Sequence, residues 1–215
     1  MNVGLSTPCP LCKTLNSDVP FYCGKNRPFY KCDHCNLIYV LPEAHLLPDK
    51  EKARYDGHEN SSGDLQYRKY LNKLALPMLN RLDSGQSGLD FGSGPGPTLH
   101  LMFEEAGHTM SIYDVYYAPD ASVLDKAYEF VSATEVVEHL YTPRETLDKL
   151  WECVKPGGLM GVMTQFPQPD FGNWRYKNDL THVCFFSPAT FAYMGARWEA
   201  DLIYAVQDVV IFRKS

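Results

Sequence analysis

The sequence predicts an α/β domain with a mostly parallel sheet and a closing antiparallel hairpin, preceded by a small cysteine-rich module. Three observations lead to this fold class. From residue 87 onward, short apolar runs of strand length alternate with amphipathic helical segments. Near the C-terminus, the apolar runs 200–206 and 209–213 are separated by two residues, as in a hairpin. At the other end, two CxxC pairs lie within the first 35 residues.

Composition limits the class of protein. Of the 215 residues, 45% are hydrophobic and 21% charged, which is ordinary for a globular protein. A formal net charge of −6 argues against a broad surface for nucleic acid or an anionic membrane. We find neither a signal-peptide pattern nor an apolar stretch of the roughly 18 residues that a membrane span needs, so we expect a cytoplasmic protein. The sequence indicates no oligomeric state.

The cysteine pairs predict a structural zinc ion. The chain has seven cysteines, an odd number, and this favours reduced thiols and metal over disulfides. Four thiolates complete a tetrahedral Zn²⁺ shell, which leaves no open position for catalysis. The predicted ligands are Cys9, Cys12, Cys32 and Cys35. Buried cysteines without a metal are the alternative. We expect this zinc ribbon and its connector to span residues 1–48, and the α/β domain to span 49–215.

The elements of the larger domain follow from periodicity and turn residues. Apolar residues at helical spacing predict a helix over 64–82, which Pro77 should kink or divide. Further strands are expected over 87–91, 110–113, 128–134 and 159–166, and further helices over 98–106, 143–154 and 188–197. About fourteen residues join the strand predicted over 110–113 to the strand predicted over 128–134. That link is too short to carry a further strand, so we expect a trimmed sheet.

A glycine-rich turn, LDFGSGPGPT at 89–98, follows the first of these strands and precedes a helix. Its glycines let backbone N–H groups approach an anionic group at a helix N-terminus. Pro97 stands where the dinucleotide fingerprint GxGxxG has its third glycine. Asp114 ends the next strand, where a carboxylate can accept hydrogen bonds from two ribose hydroxyls. A simple helix-capping turn beside surface acids is the alternative interpretation.

Two further motifs are YEFVSATEVVEHL at 128–140 and VKPGG at 154–158. With these motifs and the glycine-rich turn, the chain resembles class I S-adenosylmethionine-dependent methyltransferases of the ubiquinone type. The resemblance covers residues 64–215, and it implies a Rossmann-like sheet of seven strands with S-adenosylmethionine as methyl donor. The CxxC pairs and RYDGHEN at 54–60 resemble a subgroup that joins a zinc module to this domain. The cofactor contacts that we expect are Asp90, Gly92, Ser93, Gly94, Gly96, Asp114, Val115 and Glu135.

A second metal site is one interpretation of the acids and histidines after the third strand. Glu135, Glu138 and His139 would share one face of a helix that begins there, and His182 lies on a later loop over the same crevice. Two carboxylates and two imidazoles suit a divalent ion such as Mg²⁺ or Mn²⁺. The pattern resembles that of small-RNA 2′-O-methyltransferases and metal-dependent ubiquinone O-methyltransferases. Alternatively, the acids and His139 cap the helix and close over the cofactor, with His182 as a general base or a structural hydrogen-bond donor. We assign the catalytic residues as His182, Glu138 and His139.

Residues 165–186 form a long aromatic segment that we interpret as a substrate lid, with Trp174, Arg175 and Tyr176 as recognition residues. Local packing of the aromatic side chains is the alternative interpretation.

The acidic pI favours a small-molecule acceptor, with nucleic acid left open. Two rival functions stay open: a nicotinamide-dependent (NAD) oxidoreductase, and a zinc-ribbon protein that binds S-adenosylmethionine without turnover.

Overall fold

The computed structural model describes residues 7–57 and 61–215, so the last three residues of RYDGHEN lie outside the described residues. The described strands are β1 (Tyr22–Cys23), β2 (Pro28–Lys31), β3 (Ile38–Tyr39), β4 (Ser87–Phe91), β5 (Thr109–Tyr113), β6 (Tyr128–Thr134), β7 (Val154–Met163), β8 (Cys184–Phe185), β9 (Asp201–Val206) and β10 (Val209–Arg213). The α-helices are α1 (Pro48–Tyr55), α2 (Leu65–Leu79), α3 (Leu99–Glu105), α4 (Pro143–Glu152) and α5 (Pro188–Trp198). Short 3-10 helices cover Pro42–Ala44, Ala121–Asp125, Val137–His139 and Arg175–Asn178.

The larger sheet has six strands in the order β5-β4-β6-β7-β10-β9. Strands β5, β4, β6 and β7 pair in parallel, and β10 pairs antiparallel with both β7 and β9. The predicted fold class is therefore confirmed. The resemblance implied seven strands, and this number is wrong for the described residues. Only the 3-10 helix Ala121–Asp125 lies between β5 and β6, so β5 forms the sheet edge.

Both faces of this sheet are covered, as the alternation of strands and helices predicts. Phe130 and Met163 point to one face, where they join residues of α2 and α3 such as Leu74 and Phe103. The neighbouring Val131 points to the other face, in a core shared with α4, α5 and the cysteine-rich module. Because side chains alternate along a strand, these apolar runs bury residues on both sides.

Most predicted boundaries lie within three residues of those in the structure, and two of the differences involve prolines. Helix α2 continues to Leu79, so Pro77 does not divide it; the proline lies in the last turn and removes few hydrogen bonds. Strand β7 begins at Val154, five residues before the predicted start at 159. Pro156-Gly157-Gly158 lies inside this strand because Gly157 takes φ +77° and the β6–β7 register shifts there.

Helix α1 lies between the cysteine-rich module and α2, where no helix is predicted from the sequence. The signals for this helix are present in the sequence: Pro48 at its first position, acids in its first turn and bases in its last. Glu51 of α1 is buried and accepts hydrogen bonds from the hydroxyls of Tyr55 and Tyr116, at 3.1 and 2.8 Å. Since Tyr116 follows β5, helix α1 packs over the carboxyl end of that strand.

The cysteine-rich module is packed into the rest of the chain. Strand β8, about 150 residues downstream, pairs antiparallel with β3 and completes a four-stranded sheet β1-β2-β3-β8. Arg27, which is only 5% exposed, donates hydrogen bonds to four backbone carbonyls of the segment before β8. Those carbonyls belong to Lys177, Asp179, Leu180 and His182, at 2.6 to 3.1 Å. The domain boundary after residue 48 stays a prediction.

No helix within 7–57 or 61–215 is long and apolar enough to cross a bilayer.

Replacing Arg27 tests how firmly the module holds this segment. We expect Arg27→Met to lower the free energy of unfolding by about 2–4 kcal/mol, because it leaves several buried carbonyls without a donor. Denaturant titration followed by circular dichroism measures the loss. Lys25→Met is the matched control, since Lys25 is exposed and should tolerate the change. Equal stability of the two variants would contradict the inferred role of Arg27.

Candidate active site

The glycine-rich turn closes the carboxyl end of β4 against its two neighbours. Gly92 has φ +77°, and a Cβ atom there would lie 2.3 Å from Cγ2 of Val136, which follows β6. The amides of Gly92 and Ser93 donate to the carbonyl of Tyr113 at the end of β5, at 2.7 and 3.2 Å. Gly94 also has a positive φ, but the space beside it is open. The turn therefore forms a crevice where three parallel strands end.

Two acids stand at adjacent strand ends beneath this turn. Asp90 on β4 is 3% exposed and accepts a hydrogen bond from the Ser132 hydroxyl at 2.8 Å. Burial raises the pKa of Asp90 to about 7. Asp114 accepts from the amide of Gly94 at 2.9 Å through Oδ2, and from those of Tyr116 and Tyr117 through Oδ1. A cationic or hydroxyl-rich ligand would be stabilised by these carboxylates.

Several buried polar atoms around the crevice have no hydrogen-bond partner in the described structure. They are Ser93 Oγ, Thr134 Oγ1, Glu135 Oε1 and Glu138 Oε2. Buried polar groups are normally satisfied, so such a concentration indicates a place for a ligand. Val115, beyond the end of β5, is 64% exposed and available to a ligand at the mouth.

The residues 135–139 do not form the helix face that the sequence predicted. Glu135 takes φ +52°, and only a short 3-10 helix, Val137–His139, follows it. The amide of Glu135 is held by the Met163 carbonyl at 2.8 Å, which keeps it in the sheet. Its Oε2 accepts a hydrogen bond from the Tyr176 hydroxyl at 3.1 Å. The Tyr176 hydroxyl also contacts Oε1 of Glu138.

Glu138, His139 and His182 nevertheless come together. One ligand atom from each lies within 4.8 Å of the others, and Glu135 is outside this group. Nδ1 of His139 lies 3.1 Å from the Thr181 carbonyl, and Nδ1 of His182 lies 2.8 Å from the Tyr176 carbonyl. A carbonyl only accepts, so Nδ1 carries the proton in each ring. In the neutral ring of His182, Nε2 is then the unprotonated nitrogen, as metal ligation or general-base chemistry requires.

The electrostatics of this group also favour a cation. Glu138 is fully buried, and burial raises its pKa to about 7. Burial and then the charge of Glu138 raise the pKa of Glu135 to about 8. Burial and then His139 lower the pKa of His182 to about 3, so its ring stays neutral. Two buried acids beside the neutral ring of His182 gain most from a divalent ion or from a shared proton.

An open cavity of about 570 Å³ adjoins His182 and is bordered by the predicted lid. Trp174 is 8% exposed and stacks on Tyr176, with ring centroids 5.3 Å apart, so it contributes packing as well as lining. Arg175 is exposed. The cavity is lined by Arg54, Gln165, Trp174, Arg175, Tyr176, Asn178, Asp179 and His182.

The four cysteines of the two CxxC pairs converge. Their sulfurs all lie within 4.8 Å of one another, with Cys9–Cys35 at 3.6 Å and Cys12–Cys32 at 3.4 Å. A tetrahedral Zn²⁺ with Zn–S bonds of about 2.3 Å separates its ligands by about 3.8 Å, so the cluster has a suitable size. Cys23 is exposed and outside the cluster.

Some site residues were missed by sequence reasoning. Tyr70 of α2 lies near Glu135, and burial and then the charge of Glu135 raise the pKa of Tyr70. Glu51 and Tyr55 of α1 lie against Tyr116 and His139. The helix signals around Pro48 could have indicated α1. No local signal could have indicated Arg27, because its partners lie about 150 residues away.

The fold and the crevice define a class: a Rossmann-like α/β protein with a ligand site at the carboxyl ends of its parallel strands. Within it, the chain belongs to a family of methyltransferase domains, whose model matches residues 64–200. A ubiquinone biosynthesis O-methyltransferase from Cereibacter sphaeroides is 28% identical over 147 residues. The match covers 66% of this chain and 56% of that protein, so the chain spans little more than half of this relative's length.

Solved methyltransferase structures share the fold at low identity. The 1,6-didemethyltoxoflavin-N1-methyltransferase of Burkholderia thailandensis, with S-adenosylhomocysteine bound, aligns at a TM-score of 0.58 and 14% identity. The alignment covers 91% of this chain and 99% of that one. Magnesium protoporphyrin IX methyltransferase from Synechocystis, also with S-adenosylhomocysteine bound, aligns at a TM-score of 0.52 and 8% identity, over 78% and 94% of the two chains.

Two glycine substitutions test the geometry of the turn. We expect Gly92→Ala to cost about 2–4 kcal/mol of unfolding free energy, because it adds a clash with Val136 to a left-handed backbone. Gly94→Ala has a similar φ but open space beside it, so it should cost only about 1 kcal/mol. Chemical denaturation compares the two variants. A loss at Gly94 that equals or exceeds the loss at Gly92 would contradict the close approach.

Proposed function

We propose that the protein transfers a methyl group from S-adenosylmethionine to an oxygen of a small molecule. The observation that carries this proposal is the crevice itself: a positive-φ glycine turn, the carboxylates of Asp90 and Asp114, and buried polar atoms without partners. The family match and the bound S-adenosylhomocysteine in the structural relatives support the choice of ligand.

The residues around the crevice suit this ligand chemically. Asp114 has the position and charge to accept hydrogen bonds from ribose hydroxyls. Asp90 is buried with a raised pKa, so a ligand ammonium nearby would stabilise its charged form. Ser93 and the turn around Gly94 and Gly96 border the space for an amino-acid carboxylate. Glu135 and Val115 would border the two ends of the bound S-adenosylmethionine.

The acceptor side is assigned to Glu138, His139 and His182. S-adenosylmethionine supplies an electrophilic methyl group on a sulfonium, so the protein must orient and deprotonate the acceptor. Without a metal ion, Nε2 of neutral His182 can take the proton from an acceptor hydroxyl. The Glu138 carboxylate, within 4.8 Å, would have to stabilise the imidazolium that forms, because burial disfavours it. The Tyr176 carbonyl orients the His182 ring at 2.8 Å, and the Glu138 carbonyl accepts from the amide of the next residue, Val183, at 2.7 Å.

Activation of the acceptor by a divalent ion at this group is the alternative to proton transfer to His182, because Nε2 of His182 cannot both ligate an ion and take a proton. Nε2 of both imidazoles and the unpartnered Oε2 of Glu138 form a donor set that suits Mg²⁺ or Mn²⁺, and both rings are oriented by backbone carbonyls. Such an ion would lower the pKa of a bound acceptor hydroxyl. Glu135 would contribute through Tyr176 rather than directly.

The two rival functions fit the residues less well. A nicotinamide oxidoreductase would use the third glycine of GxGxxG to pack the helix closely against the strand, and Pro97 stands there. A binding protein without turnover would have no need for the buried Glu138–His182 arrangement, whose desolvation is costly.

Transfer of a tritiated methyl group to fractionated lysate tests the activity and its dependence on metal. We expect label in a low-molecular-weight fraction, lost on chelation and restored by Mg²⁺ or Mn²⁺. We expect Glu138→Gln to reduce transfer by about 10- to 100-fold, the range for groups that bind or orient a metal. Glu152→Gln, an exposed site on α4, is the matched control.

Several outcomes of this assay would count against the proposal. No labelled product in any fraction favours the binding protein. If chelation leaves both the rate of transfer and the zinc content unchanged, the result contradicts a role for a divalent ion. The role of His182 as the base would not be affected. Full activity of Glu138→Gln contradicts the assignment of the acceptor side. Calorimetric titration with Mn²⁺ provides a readout that is independent of turnover.

We also propose that the four clustered cysteines hold one structural Zn²⁺. All four coordination positions are then filled by protein, which leaves this ion without a catalytic role. Three of the four side chains are buried in the core shared with the larger domain, so the ion would stabilise the surface against which the 177–182 segment is held.

Metal analysis after dialysis tests the zinc site. We expect about one zinc per chain in the wild type and a loss of most of it in Cys35→Ser, because three thiolates leave the tetrahedral shell incomplete. Cys23→Ser is the matched control and should keep its zinc, since Cys23 is exposed and outside the cluster. Zinc-free wild-type protein, or equal zinc in both variants, would rule out the site.

A further inference from the structure

The open cavity beside His182 carries chemistry that the methyl-transfer group does not use. Its volume of about 570 Å³ falls within the range of small-molecule sites. His182 and Tyr176 form its inner wall, and both also contact the Glu138 group. A molecule in this cavity would therefore lie directly against the residues assigned to the acceptor.

The outer wall of the cavity is positively charged. Arg54 from α1 and Arg175 from the lid are both exposed, and neither forms an ion pair with any residue in the described parts of the chain. Among residues 7–57 and 61–215, the lining has one carboxylate, Asp179, whose Oδ1 already accepts from the amide and hydroxyl of Thr181 at 3.0 and 2.9 Å. Against the effect of burial, these hydrogen bonds and the charge of Arg54 lower the pKa of Asp179. This carboxylate therefore offsets part of one arginine's charge, and the described lining keeps an excess of positive charge.

This local charge opposes the charge of the whole chain, which is −6. Arginine presents a planar fork of donors that matches a carboxylate or phosphate, so an oxyanion is the ligand that such a pair recognises. Two arginines suit one anionic group. A nucleic-acid backbone would need a longer basic surface.

From this arrangement we propose that Arg54 and Arg175 bind a carboxylate or phosphate on the methyl acceptor. The acceptor is then a hydroxylated small molecule with an anionic end. The anion meets the two arginines at the outer wall, and the hydroxyl is directed inward to His182. This inference rests on the proposed function and adds the class of substrate to it.

Pairs of probes that differ only in charge test this subsite. The wild-type protein is first saturated with S-adenosylhomocysteine and then titrated with protocatechuate, a dihydroxylated benzoate, and with its neutral amide. We expect the carboxylate to bind about threefold to fivefold more tightly than the amide, the range for partly exposed charge pairs. A separate titration with inorganic phosphate, which should compete with protocatechuate, distinguishes a phosphate from a carboxylate preference.

Substitution of both arginines provides the control. In the double variant Arg54→Gln/Arg175→Gln the carboxylate and the amide should bind equally. Arg213→Gln, an exposed arginine at the end of β10 and outside the cavity, should keep the preference. Circular dichroism verifies that each variant is folded.

The outcomes separate this inference from the proposed function. Three results would overturn the subsite alone, provided that S-adenosylhomocysteine binds. These are equal binding of the carboxylate and the amide, no binding of either protocatechuate or phosphate, and a carboxylate preference that survives the double substitution. Displacement of protocatechuate by a single-stranded oligoribonucleotide but not by phosphate also overturns it. No binding of S-adenosylhomocysteine overturns the proposed function, whatever the anions do.

Discussion

The close approach of Gly92 to Val136 is the constraint on which the site depends. Only a residue without a side chain fits there, and its left-handed φ lets the chain leave β4 and pass over the end of β6. The same turn is held to β5 through the Tyr113 carbonyl. Three strand ends are thereby kept at fixed spacing, with Asp90 and Asp114 beneath the turn and a space above them.

The cysteine-rich module forms part of the site's support. Its Arg27 fixes the carbonyls of the segment that ends at His182, and its strand β3 pairs with β8 directly afterwards. Aromatic residues of the 165–186 segment pack against the module as well, with the ring centroid of Phe171 within 5.5 Å of those of Tyr22 and Phe29. The cysteine cluster and the segment that ends at His182 are thus linked through ordinary packing and hydrogen bonds.

Sequence periodicity predicted the sheet, the hairpin and most helices, because buried strands and amphipathic helices leave local patterns. The cysteine spacing likewise predicted a cluster that the folded chain assembles. What failed depended on long-range contacts. The left-handed conformation of Glu135 follows from its bond to Met163, and no pattern within 135–139 encodes it. Helix α1 had local signals, but its burial against Tyr116 depends on a partner about 60 residues away.

Calorimetric titration with S-adenosylhomocysteine, run beside NADH, tests the central claim most directly. The account predicts binding of S-adenosylhomocysteine at a single site, weakened in Asp114→Asn, and no heat of binding with NADH. Saturable binding of NADH together with no response to S-adenosylhomocysteine would contradict it.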